Sequence, residues 1–103
     1  MTIDLALQYI PKRMQELGYH SQYHLRLRHL VLQPQTTRDM SAYNQLVLLV
    51  DEVNEIRVES DTGVYDLTET NVNELTYEHQ GAIKITNQST FISRIRCIQV
   101  IPK

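Results

Sequence analysis

"YHLRLRHLVLQ", Tyr23 to Gln33, decides the fold, because here the hydrophobic period of the chain changes from helical to two. Tyr23, Leu25 and Leu27 alternate with His24, Arg26 and Arg28, the pattern of a strand that turns one face to a core. Near His29 and Leu30 the alternation slips phase, as a β-bulge would make it do. Pro34 ends the strand, since proline cannot donate to a ladder.

Upstream the period is helical. Ile3, Leu7, Ile10, Met14 and Leu17 fall at alternating spacings of four and three, one stripe of a helix. Thr2 suits the N-cap and Gly18 the left-handed position just past the C-terminus. Pro11 inside the stripe removes one backbone bond, which predicts a kink or a second short helix starting there. Such a segment packs on its own domain or serves as an arm on a neighbouring subunit.

Downstream, "QTTRDMS" reads as a polar loop and "QLVLLV", Gln45 to Val50, as a strand buried on both faces. "DEVNE" turns the chain, and "IRVES" and "VYDLT" flank Asp61-Thr62-Gly63 as a hairpin. "ELTYEH" and "AIKITN" flank Gln80-Gly81 as another, and "FISRIRCIQVI" is a long last strand. Glycine occurs only at positions 18, 63 and 81, so Gly63 and Gly81 are read as turn glycines. About seven short strands after one helix predict a mainly β protein, a single β-sandwich of jelly-roll-like or immunoglobulin-like type. Residues 1–19 form the helical N-terminal segment or arm and residues 20–103 the sandwich, in a single domain 1–103.

No run approaches the roughly 18 apolar residues of a membrane span, and the N-terminus lacks the features of a signal peptide. Cys97 is the only cysteine and sits in the apolar-rich run "RIRCIQVI", which suggests a buried thiol in a protein made in the cytoplasm. The sequon "NQS" at Asn87 then carries no meaning.

Asp61-Thr62-Gly63 in a chain of 103 residues raises the possibility of a dimeric aspartic protease. That chemistry needs two aspartates sharing a proton across a two-fold axis, with a buried apolar strand leading into each. Here Glu59 and Ser60 lead in, the bulky Val64 follows, and no further glycine is available for a flap. A turn in which Asp61 bonds its own backbone and Gly63 is left-handed explains the triplet. His20 and His24, on a strand, would stand about 13 Å apart at roughly 3.3 Å per residue, too far for one metal ion. Ser60, Ser89 and Cys97 lack the glycine-flanked elbow of a nucleophile, and three scattered glycines cannot build a phosphate loop. No catalytic residue, metal or cofactor is expected.

Charge is what remains. The formal net charge is -2, yet residues 1–38 carry +3, residues 39–82 carry -9 and residues 83–103 carry +4. A bipolar chain attracts copies of itself head to tail or presents a basic patch to a polyanion. Arg26 with Arg28, and Arg94 with Arg96, share strand faces, and if the two strands lie side by side they form a four-arginine interaction face. Nucleic acid is the less favoured partner of such a face, because Tyr23 and Phe91 occupy core phases and leave no stacking platform.

"ESDTGVYDL" (Glu59–Leu67), "NELTYEHQGAIKITNQS" (Asn73–Ser89) and "IRCIQVIPK" (Ile95–Lys103) resemble stretches of small β-sandwich virion proteins of bacteriophages, over about residues 30–103. The resemblance implies a non-enzymatic structural subunit of a capsid, vertex, neck or tail lattice. Its partners would be copies of itself and other virion proteins, with no membrane involved. A small cytosolic module that binds nucleic acid or a partner protein through the basic strand face is the alternative, and the aspartic protease a remote one.

Overall fold

The computed structural model describes residues 2–18, 22–50, 55–67 and 78–103. The protein is mainly β: helix α1 (Ile3–Glu16) is followed by β1 (Tyr23–Leu32), β2 (Thr37–Val50), β3 (Ile56–Ser60), β4 (Gly63–Leu67), β5 (Glu78–Asn87) and β6 (Ser93–Pro102). The strands form one antiparallel sheet in the order β1-β6-β2-β5-β3-β4.

α1 begins where the sequence predicts, with Leu5 N–H donating to Thr2 Oγ1 at 3.2 Å, and Gly18 follows its last turn at φ +86°. It runs as one helix through Pro11, so no second helix starts there. Pro11 and Leu7 are both exposed, which lets water satisfy the Leu7 carbonyl that proline leaves unbonded. Ala6, Ile10 and Met14 are buried against Leu46, Leu48 and Val50 of β2 and Ile98 and Val100 of β6. Burying Ile10 and Met14 contributes about 1.5–3 kcal/mol each. A polar cluster fixes where the helix sits: Glu78, 2% exposed, accepts from Arg13 Nε at 2.8 Å and from the Tyr9 hydroxyl.

β2 is the organising strand. Its first half, Thr37–Ala42, pairs with β5, and its second half, Leu46–Val50, pairs with β6. Between Ala42 opposite Gly81 and Val47 opposite His79 the register shifts, with Asn44 at φ 59°. β2 advances five positions there while β5 advances two, so inward residues are even-numbered before the bulge (Met40, Ala42) and odd-numbered after it (Val47, Leu49).

The bend folds the sheet over its own inner face. Leu30 and Leu32 of edge strand β1 share one buried cluster with Ile56, Val58 and Leu67 from the far end of the strand order. α1 lies on the opposite face and belongs to a separate cluster. Asn87, at the end of β5, donates to the carbonyls of Leu32 and Gln33 although β6 and β2 stand between β5 and β1 in the sheet. Only a folded-over sheet brings those ends together, and the result is a single sandwich-like unit.

Four local readings are corrected. Thr37–Ser41 is strand and not loop: its exposed positions are polar, and Met40 is the only apolar residue facing inward before Ala42. Gly81 is not a hairpin turn; β5 runs straight through it with φ +80°, and residues 74–77 of the proposed partner strand lie outside the described residues. β1 contains no bulge, since it pairs with β6 without a break from Tyr23 to Leu32. Phe91 does not occupy a core phase, being 76% exposed. The turn assigned to "DEVNE" lies mostly outside the described residues, of which it reaches only Glu55.

Candidate functional site

β1 and β6 do lie side by side, but their register divides the four arginines. Arg26 is opposite Gln99 and Arg28 opposite Cys97, so this pair shares the inner face with Leu30 and Ile95. Arg94 is opposite Val31 and Arg96 opposite His29, on the outer face. The expected single face of Arg26, Arg28, Arg94 and Arg96 is therefore two pairs on opposite sides of one two-stranded ribbon. In an antiparallel pair, directly opposed residues share a face, and here even-numbered positions of β1 oppose odd-numbered positions of β6.

The same register explains the phase slip. Leu30 and Leu32 are the core residues of β1, while Leu25, Leu27 and Val31 point outward and are 47%, 49% and 51% exposed. What resembles a bulge in the sequence is a strand with apolar residues on both faces. Its outer row continues the face on which α1 sits, because Leu25 is opposite Val100 and Leu27 opposite Ile98, both under the helix. Around the helix, Leu7 lies on the side of the Ile10 stripe opposite to Tyr9 and Arg13, which reach toward β5, and it too is exposed. Among the described strands β1 is an edge of the sheet, so aliphatic side chains border a strand that only β6 pairs.

The Asp-Thr-Gly stretch is the tip of the β3–β4 hairpin. Ser60 is opposite Gly63, and Asp61 and Thr62 form the loop. Gly63 has φ +138°, a value side-chain-bearing residues rarely adopt, which is why glycine stands there. The cap differs from expectation: Thr62 N–H donates to Ser60 Oγ at 3.3 Å, while Asp61 N–H donates to the Gln80 carbonyl at 3.1 Å. Asp61 is exposed, and its carboxylate lies against Gly81, where an added Cβ would come within 2.0 Å of Oδ2. Gly81 is therefore a close-approach glycine.

Sequence reasoning gave His79 no partner, because the contact depends on how the hairpin docks on β5. His79 is fully buried, its Nδ1 is 2.8 Å from Ser60 Oγ, and its ring meets Tyr65 edge-on at 5.7 Å. Buried beneath the loop, it anchors the hairpin tip to β5. His24 and His29 are exposed on β1, and His20 lies outside the described residues. Among the described residues no three of His, Cys, Asp or Glu converge as metal ligands would. Cys97 is buried as expected, and burial pushes its thiol pKa up. Asn87 is fully buried, so its side chain is inaccessible in the folded protein.

At the other edge of the sheet, Arg57 and Asp66 pair across β3 and β4 at 2.9 Å. The hydrogen bond from Arg57 holds the Asp66 carboxyl below its usual range. Val64 beside them is 62% exposed. Comparison with family models, with curated proteins and with solved structures finds no match to this chain.

Proposed function

We propose that this chain is a non-enzymatic structural subunit that works through protein–protein assembly, of the bacteriophage virion kind its sequence resembles. The observation that carries the reading is the outward row Leu25, Leu27 and Val31 on an edge strand. A monomer gains nothing from exposing aliphatic side chains on an edge that no described strand pairs, whereas a subunit buries both on assembly. Asp61, the one residue suggestive of proteolysis, is exposed at a hairpin tip next to Glu59 and Ser60, a setting that does nothing to hold a shared proton.

Size-exclusion with light scattering across protein concentration, at two salt concentrations, tests the reading. Salt-sensitive assembly is expected, lost in a Leu25→Lys, Leu27→Lys variant that keeps its fold. A monomer at every concentration overturns it, as does a pepstatin-sensitive proteolysis abolished by Asp61→Asn. For the virion setting, the chain is expected as a stoichiometric component of purified particles, and its absence from them counts against that setting.

One observation favours the second reading, a module that binds nucleic acid. Phe91 is exposed three positions before the exposed Arg94, and a solvent-facing ring and guanidinium are groups that a single-stranded base stacks on. Fluorescence anisotropy with a labelled oligonucleotide would show micromolar, salt-dependent binding lost in Phe91→Ala if that reading holds.

A further inference from the structure

Resting on the assembly reading, we infer that the partner of the β1 edge is the β4 edge of a second copy, so that subunits join head to tail through a heterologous contact. β1 and β4 stand at opposite ends of the strand order, and among the described strands each has a single partner. Their charges are opposite. From Tyr23 to Leu32 and from Ser93 to Pro102 there are four arginines and two histidines and no carboxylate. From Ile56 to Leu67 there are three carboxylates, Glu59, Asp61 and Asp66, against one arginine. That arginine, Arg57, pairs with Asp66, which leaves Glu59 and Asp61 as the net negative charge.

The alternatives are worse on the same grounds. A two-fold contact of β1 with β1 brings two basic strands together, and a two-fold contact of β4 with β4 brings two acidic hairpins together. The crossed contact joins a basic ribbon to an acidic one: Glu59, Val64 and Asp66 share the outer face of the β3–β4 hairpin, so with outer faces continuous Val64 meets the exposed row of Leu25, Leu27 and Val31 and the carboxylates meet the side that carries Arg94 and Arg96. Among the described strands each copy keeps its other edge without a partner, so the contact repeats and generates a ring or a filament.

Two charge reversals test this by complementation. All four chosen residues are exposed: Arg26→Glu with Arg94→Glu reverses charge on both faces of the β1–β6 ribbon that ends in the β1 edge, and Glu59→Lys with Asp66→Lys reverses it on the β3–β4 hairpin that ends in the β4 edge. Each double variant is checked for fold by circular dichroism, and the neutral pairs Arg26→Gln with Arg94→Gln and Glu59→Gln with Asp66→Asn serve as milder versions. Each reversed variant alone is expected to assemble at least tenfold more weakly than the unaltered chain by light scattering. An equimolar mixture is expected to regain assembly, because the acidic β1 edge of one then meets the basic β4 edge of the other. If the β4 variant alone assembles like the unaltered chain, or the mixture stays monomeric, the edge assignment is overturned while the assembly reading stands. If the unaltered chain never assembles, both fall together.

Discussion

Asn87 Nδ2 donates to the Leu32 carbonyl at 3.2 Å, tying the end of β5 to the end of β1 across two intervening strands. The same amide donates to the carbonyls of Gln33 and Phe91, and its Oδ1 accepts from Ser89 N–H and Oγ. Replacing Asn87 by Asp keeps the shape but sets an acceptor against three carbonyl oxygens in a buried site. Urea unfolding is expected to show a loss of about 3 kcal/mol, as a buried acceptor without its donor costs. A loss below about 0.5 kcal/mol would mean that this tie does not hold the sheet closed.

Arg13→Ala is expected to cost about 2 kcal/mol in the same assay. It leaves the buried Glu78 with Tyr9 as its principal donor, and the partial exposure of the guanidinium keeps the loss below that of a fully buried pair. The hydrogen bond to Glu78 raises the Arg13 pKa further above its ordinary value, so the guanidinium stays charged throughout the working pH range. Glu78→Leu is expected to be milder than Arg13→Ala, because it removes the charge that needs a partner.

Gly81→Ala forces a side chain into a position of φ +80° and against the Asp61 carboxylate. The expected cost is about 1–3 kcal/mol, partly recovered by adding Asp61→Gly, which opens the space but does not relieve the backbone. Gly18→Ala, where an added Cβ meets nothing within 4 Å, isolates the backbone contribution for comparison.

Burial raises the Cys97 pKa above its ordinary value of 9.0. The unfolded chain therefore releases the thiol proton first, so the contribution of Cys97 to stability is complete below pH 9.0 and is lost as pH rises toward the folded value. The difference in unfolding free energy between the native chain and Cys97→Ala is expected to be flat near neutrality and to shrink above about pH 9. A thiol reagent at neutral pH should label Cys97 no faster than the chain unfolds.

The helix and most strand positions were legible because local chemistry decides them. Thr2 and Gly18 are caps by their own side chain and backbone, and Pro34 follows the end of β1 whatever the tertiary structure. The Asp-Thr-Gly turn was legible for the same reason. The arginine face was not, because which residues share a face depends on the register between β1 and β6, a relation between two distant segments that neither contains. The polar half of β2 was illegible for a related reason: its pairing with β5 makes it a strand, while its own side chains resemble those of a loop. His79 carried no signal in the sequence, because its burial depends on how the β3–β4 hairpin docks on β5.

The bend in β2 makes the two halves of the sheet inseparable, and it also sets a timetable. β1 pairs with β6, and everything from β2 to β5 lies between them in the order of synthesis. While the chain emerges, β1 waits with apolar side chains on both faces and no partner strand, so its two halves of exposed surface are at their most adhesive before folding ends. The burial of Leu30 and Leu32 therefore waits for β6, and a chain interrupted before Ile95 leaves that apolar face uncovered.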